Sequence, residues 1–395
     1  MTTSSPTVER SAAAAWRVPF VRPDLPALED IQPAMERIFA SGILTKGPEL
    51  HRLEDDVKML TGAEDAVAVS SCTVGLALGL RGLRELHRGH AERVEVIVPS
   101  FTFLAAPAAI VWAGYTPVFV DADPSTWTVS PAAVEAAVGP RTAAIVACHT
   151  FGCPCDMAAL EVISERLEIP LMIDAAHGFG TSLSGRQVGR EGFAQVFSMS
   201  PTKLVVAGEG GVITTSSREF GMLLRELREY GNDGNYGCSI PGLNGRLPEL
   251  SAALGRESLA RLPEVVRRRT AAANAYRDVL VGTPGLGFQE IPQVAASSWK
   301  DLSITIDPAV FGMDRDAVRT HLAERGIDTR AYYSPACHRM EAFKEHQPLD
   351  ETLPVTDWLA ATSLSLPMGG HVTPAVASSV ATELLGARPA RSGRR

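Results

Sequence analysis

From Asp65 onward the chain alternates between two patterns. Short β-branched, apolar runs predict strands at Ala66–Ser70, Val94–Val98, Pro117–Val120, Ala143–Cys148, Leu171–Ile173, Gln195–Ser198 and Gly211–Thr214. Between them, helical spacing predicts helices at Thr73–Leu86, Phe103–Ala113, Pro131–Val138 and Met157–Leu167. The strand runs are apolar throughout rather than alternating, so both faces of the sheet must be covered. That predicts an α/β domain with a largely parallel sheet. Ligands in such domains bind beyond the carboxyl ends of the strands, so the informative residues are those just after each run.

The flanks read differently. A Pro-rich extended segment, Val18 to Pro23, precedes a helix from Leu28 to Ala40, stopped by Ser41-Gly42, and a second from Glu49 to Leu60. Such an arm buries little alone and must pack on the main domain or on a partner subunit. A helical connector runs from Leu247 to Leu280, with Arg267-Arg268-Arg269 read as a solvated charged face. Beyond it, Asp301–Ile306, a helix at Asp314–Arg325, Tyr332-Tyr333 and a last helix at Pro374–Leu385 predict a small C-terminal α+β domain. The expected division is a tail at 1–15, an arm and large domain at 16–265, a small domain at 266–387 and a basic tail at 388–395.

Composition narrows the function classes. With 45% hydrophobic and 21% charged residues the chain reads as an ordinary globular enzyme, and a net charge of −8 speaks against a nucleic-acid surface. No apolar run approaches the roughly 20 residues that span a bilayer. Met1 to Ala15 lacks an apolar core and is expected to be a tail rather than a signal peptide. The six cysteines lack small-scaffold spacing and read as reduced, cytoplasmic thiols. Cys148-His149 with Cys153-Pro154-Cys155 lacks the second pair that would close a zinc site, so no metal is expected. No GxGxxG after a strand, P-loop or GxSxG elbow is present.

The chemistry gathers after the strands. Phe197-Ser198-Met199-Ser200-Pro201-Thr202-Lys203 places one lysine among hydroxyls, and Gly208-Glu209-Gly210-Gly211 follows. A Schiff-base lysine for pyridoxal phosphate needs that setting: hydroxyls and N–H groups for the phosphate, and glycines where the chain passes close. A surface lysine in a Ser/Gly loop is the alternative. Asp174 ends a buried run, where a carboxylate needs a partner such as a pyridinium nitrogen, and His177 follows three residues later. A helix N-cap aspartate and an ordinary histidine would look the same. Ser71-Cys72-Thr73 opens a helix and offers either an anion site or a plain cap. Phe103, after a strand, reads as a ring platform or as core.

In order, SSCT, PSFTF, DAAH and FSMSPTK with GEGG resemble the DegT/StrS family of pyridoxal-phosphate sugar aminotransferases. PFVRPDL…SGILTKGPEL, PVFVDADPSTWTVSP and GLNGRLPELSAALG are similar to further segments of that family, so the likeness covers nearly the whole chain. The resemblance implies the type I (aspartate aminotransferase) fold. It implies that Lys203 carries the cofactor and moves the proton, that Asp174 pairs with the ring nitrogen, and that His177 lies near the ring hydroxyl, where glutamine is more usual. It implies Phe103 on the ring, and Cys72, Thr73 and Ser198 at the phosphate. Asn244 would reach the phosphate of a neighbouring subunit, making a homodimer with shared sites. Gly245 stands in place of the usual tyrosine, and Tyr230-Gly231 in place of the common His-Gly. Dehydrating relatives replace the lysine with histidine, so Lys203 favours transamination.

The implied reaction moves an amino group from L-glutamate to a nucleotide-linked keto-sugar. SSWKDLSITI…GIDTRAYYSPACHRM resembles members acting at C4 of 4-keto-6-deoxy sugars, with Tyr332, Tyr333 and His338 as substrate contacts or as a structural turn. A 3-keto-sugar or scyllo-inosose aminotransferase is the rival enzyme. A regulatory protein that binds the cofactor without turnover is the rival of another class.

Overall fold

The computed structural model describes residues 16–86, 89–346 and 352–389. The tail expected at 1–15 and all but two residues of that at 388–395 lie outside them.

In chain order the elements are α1 (Leu28–Ser41), α2 (Pro48–Thr61), β1 (Asp65–Val69), α3 (Cys72–Leu86), β2 (Glu95–Pro99), α4 (Ala105–Trp112), β3 (Thr116–Val120), α5 (Pro131–Ala137), β4 (Thr142–Cys148), α6 (Met157–Leu167) and β5 (Leu171–Ala175). Then come β6 (Ser182–Leu183), β7 (Arg186–Gln187), β8 (Ala194–Ser198), β9 (Gly211–Thr215), α7 (Arg218–Leu227), α8 (Glu249–Ala260), α9 (Leu262–Leu280), β10 (Leu286–Phe288), β11 (Ala295–Ala296) and β12 (Leu302–Ile306). The chain ends with α10 (Pro308–Phe311), α11 (Arg315–Glu324), α12 (Pro354–Thr362), β13 (Ser363–Leu366) and α13 (Pro374–Leu385).

Seven strands form the main sheet in the order β1-β9-β8-β5-β4-β2-β3. Only β9 runs against its neighbours, β1 and β8; the other pairs are parallel. Strand period two divides the apolar residues between the faces. Ile97, Ile145, Leu171 and Ile173 enter the core shared with α2 and α6, while Val96, Val98, Val146 and Met172 enter the core shared with α3 and α4. Both cores are apolar and buried, which accounts for strands without a polar face. Parallel pairing of β4, β5 and β8 sets Cys148 beside Asp174 and Ala175 beside Phe197. Reversed β9 brings Gly211 to the same edge, paired to Val69 and Ser198. A Cβ on Gly211 would stand 2.8 Å from the Cys72 nitrogen, so only glycine lets α3 begin this close to the sheet.

A second, antiparallel sheet, β10-β12-β13, is covered by α9, α11 and α13 around Tyr276, Ile304 and Val380. The helix α9 spans both bodies: Leu262 and Val265 lie in a main-sheet core, and the residues from Ala272 lie in the second. The expected single connector is two helices, broken at Arg261, with Pro263 in the first turn of α9 where its missing N–H costs nothing. The solvated reading of Arg267-Arg268-Arg269 fails at Arg269, which is 2% exposed and donates to the carbonyls of Trp299 and Lys300, both at 3.0 Å. The N-terminal arm packs as expected on its own chain. Val18 bridges to Ile327, and Ala34 and Ile38 of α1 pack on Ala253 of α8. Among the described residues no helix is long and apolar enough to cross a membrane.

Candidate active site

The residues that follow the strand ends line one cavity of about 380 Å³. Lys203 sits in the loop after β8. That loop is closed by bonds from the Met199 N–H to the Gly210 carbonyl (2.9 Å) and from the Ala207 N–H to the Met199 carbonyl (2.8 Å). As a residue it is partly exposed, because it borders the cavity. Its amine lies deep, and burial, with the nearby Lys300 ammonium, pushes its pKa down to about 8. At that pKa roughly a tenth of the amine is neutral at pH 7 and about half at pH 8, and the neutral form is the nucleophile and proton acceptor.

Asp174, 7% exposed, lies across the cavity. Burial raises its pKa, opposed by the Ala176 N–H, which donates to Oδ1 at 3.0 Å, and by Lys203. Among the described residues no cation forms an ion pair with it. A buried carboxylate with one backbone bond is suited to a cationic heteroaromatic N–H. Cys72 turns its thiol toward Asp174 (3.9 Å) and the Val196 carbonyl (3.5 Å). Burial and Asp174 raise that thiol well above its ordinary pKa, so it stays neutral. What Cys72 and Thr73 offer an anion is the open first turn of α3, capped by Ser71, whose Oγ accepts from the Val74 N–H at 3.1 Å. Ser198 borders the same end.

His177 accepts the Phe151 N–H at Nδ1 (3.1 Å). Burial, with Lys203 adding to it, pushes its pKa well below the ordinary value. A neutral ring accepting at Nδ1 carries its proton on Nε2, so His177 is a donor to an oxygen. It stacks on Phe151, which stacks on Tyr333, which stacks on Tyr332, a column joining the two sheets' bodies. Phe103 lies before α4, which starts two residues later than expected; its ring borders the cavity and is 52% exposed.

Two expected residues lie elsewhere. His338 does not line the cavity: it is buried, bonded to Ser100 Oγ (2.6 Å) and 3.3 Å from Asp357. Asn244 is exposed on a segment bridged to Glu229, away from this chain's own cavity. Sequence reasoning missed Thr102, His149, Glu209 and, above all, the buried pair Lys300–Asp301, joined at 2.8 Å. For Lys300–Asp301 the signal was two opposite charges just before the apolar strand β12.

The residues present fit pyridoxal phosphate. They supply a low-pKa amine, a buried carboxylate without a cation, a donor histidine and a helix N-terminus, all on one cavity. Among the described residues no cluster of metal-ligating side chains occurs.

Residues 27–385 match the model of the DegT/DnrJ/EryC1/StrS aminotransferase family. The chain is similar to DesI, solved in the presence of its TDP-sugar product, with 35% identity over 95% of this chain and 94% of that one and a TM-score of 0.87. It is similar to DesV of S. venezuelae, at 33% identity over 94% of this chain and all of that one, TM-score 0.85. The aminotransferase TlmJ from Streptoalloteichus hindustanus matches at 30% identity over 94% and 98%, TM-score 0.85.

Proposed function

The chain belongs to the DegT/DnrJ/EryC1/StrS aminotransferase family and is a pyridoxal-phosphate-dependent sugar aminotransferase, and from that premise we propose that it moves the amino group of L-glutamate to C4 of a nucleotide-linked 4-keto-6-deoxyhexose, dTDP-4-keto-6-deoxyglucose being favoured. The observation that carries this reading is that Lys203, its amine near pKa 8, lines one cavity with the buried carboxylate of Asp174. The C-terminal run around Tyr332 and Tyr333 supports C4 by its resemblance, and DesI, solved with a TDP-sugar product, supports the nucleotide.

When bound, pyridoxal phosphate supplies an electron sink that stabilises a carbanion at the carbon bearing nitrogen. The chain does the rest. Asp174 would hold the ring nitrogen in its protonated state. The Nε2–H of His177 would donate to the ring oxygen. The first turn of α3 at Cys72 and Thr73, with Ser198, would bind the phosphate, and Phe103 would cover a ring face. The neutral form of Lys203, about half of the amine near pH 8, takes the proton from the substrate carbon in one half of the reaction and returns it in the other. Tyr332 and Tyr333 line one wall of that cavity, against which a sugar ring would lie.

A homodimer in the cytoplasm completes the reading. Asn244 stands outside its own cavity, where a partner's cavity could receive it. The six cysteines are all free thiols, as a reducing compartment keeps them.

The test is turnover with L-[15N]glutamate and dTDP-4-keto-6-deoxyglucose. The expected product carries 15N on C4 and is formed in step with 2-oxoglutarate. Label entering only a 3-keto sugar or scyllo-inosose would contradict the C4 acceptor.

A further inference from the structure

Lys300 and Asp301 are 4% and 3% exposed, yet both border the cavity that holds Lys203. The Lys300 ammonium donates to Asp301 Oδ1 at 2.8 Å. The other oxygen, Oδ2, is buried and bonded by no described group. Leaving a buried carboxylate oxygen without a donor is costly. The chain nonetheless holds it in place. Ser298 Oγ donates to the His177 carbonyl (2.9 Å), and Arg269 grips the Trp299 and Lys300 carbonyls. The Asp301 N–H itself bonds the Phe151 carbonyl at 3.4 Å. This pre-positioned acceptor is built to meet a donor from a ligand.

Chemistry restricts which ligand. The cofactor's outward groups, a phosphate and a phenolic oxygen, are anionic and would be repelled, and its ring nitrogen is matched by Asp174. An amino-acid donor brings carboxylates, also repelled, and its ammonium is the reacting group. Among the described residues the ion-pair partner of Asp301 is Lys300, not Lys203. A keto-sugar brings neutral hydroxyl donors beside its carbonyl, and an O–H to a carboxylate is a strong, charge-assisted bond.

We propose that Asp301 is a specificity residue for the acceptor, its Oδ2 accepting a hydrogen bond from the sugar hydroxyl on the carbon next to the reacting carbonyl while Lys300 holds Oδ1. This rests on the keto-sugar reading above. It also explains how one cavity serves two unlike substrates, since the paired Lys300–Asp301 presents a neutral sum to the sugar and an acceptor at one point only.

The decisive binding experiment needs no mutation. With no amino donor present, calorimetry on the cofactor-loaded protein compares dTDP-4-keto-6-deoxyglucose with its 3-deoxy analogue. The 3-deoxy compound is expected to bind about 10- to 100-fold more weakly, because its loss strands a buried acceptor. Binding within about threefold overturns the proposal. In Asp301→Asn that difference should shrink to about threefold or less, because the amide offers the hydroxyl no charged acceptor. A variant that keeps the full discrimination would overturn the proposal. A wild-type protein that responds to glutamate but binds no nucleotide keto-sugar overturns the acceptor reading, and this inference with it.

Discussion

At the residue scale, the site depends on a lysine made less basic by its surroundings. Burial and Lys300 lower the Lys203 pKa to about 8, and only the neutral amine attacks an aldehyde. The rate at which apoprotein takes up pyridoxal phosphate should therefore rise with pH through a midpoint near 8; Lys300→Met, which removes the nearby charge, should shift the midpoint upward. A midpoint near 10.5 in wild type would contradict the assignment. His149, at 1% exposure, has its pKa pushed by burial down to about 4. Its folded value lies below its unfolded one, so between pH 4 and 6.5 the unfolded chain binds more protons. The stability contributed by neutral His149 is then lost as pH falls through that window, on the order of 3 kcal/mol, and this contribution changes no further below it. Denaturant titrations from pH 7 to 4 should show this slope, reduced in His149→Gln. Lys203 and Asp174 were legible because each ends an apolar run where ligands bind. Lys300–Asp301 was not, because nothing in the sequence says that a pair opening a strand of the second sheet folds back onto the first. His338 was misplaced for a similar reason: the 3-10 turn Cys337–Arg339 carries it toward Ser100 and Asp357 rather than into the cavity.

At the element scale, two helix starts depend on residues far away in the chain. The N-cap of α2 is Gly47, which has no side chain to give. Glu249, from α8, accepts the N–H groups of Gly47, Glu49 and Leu50 at 3.0, 2.9 and 2.9 Å. Such a carboxylate satisfies orphan donors and the helix dipole together. Glu249→Ala should lower unfolding free energy by about 2–4 kcal/mol in denaturant melts; a change under about 0.5 kcal/mol would show that solvent caps α2 equally well. The start of α3 depends on Gly211 instead. Its replacement by alanine sets a Cβ against the backbone of Cys72 and Phe197, at 2.8 and 2.9 Å. Pyridoxal phosphate affinity should fall by roughly tenfold or more, since a small displacement of the phosphate turn is amplified in binding; unchanged affinity by fluorescence titration would contradict that placement. Most main-sheet elements were readable from apolar runs. The split of the 247–280 connector was signalled only by Pro263, which helices tolerate in their first turn, so periodicity ran through it. The helix α7, with Phe220, Leu224 and Leu227 buried on one stripe after the cap Ser217, was legible and went unread.

At the scale of the molecule, the cavity lies where the two sheets' bodies meet. Asp121, just after β3, caps α12 through the N–H groups of Val355 and Thr356 at 3.1 and 2.7 Å, and the aromatic column from His177 to Tyr332 crosses the same gap. No sequence pattern announces a contact between residues 234 apart, as in the Asp121–Val355 bond, so this arrangement needed the fold. A shared-site homodimer makes its own prediction. Lys203→Ala and Asn244→Asp should each be inactive, yet their co-expressed mixture should recover up to roughly a quarter of wild-type activity, from hybrids that retain one intact site. No recovery, with hybrids present by mass spectrometry, would confine each site to one chain.

The central claim is that Lys203 and the cofactor shuttle an amino group between an amino acid and a keto-sugar. The direct measurement follows the visible absorbance of the purified, cofactor-loaded protein through two additions. L-glutamate should bleach it with one equivalent of 2-oxoglutarate released, and dTDP-4-keto-6-deoxyglucose, added after glutamate is removed, should restore it; Lys203→Ala should complete neither change. A wild-type spectrum indifferent to glutamate and glutamine alike, or a Lys203→Ala protein that cycles normally, would contradict the claim.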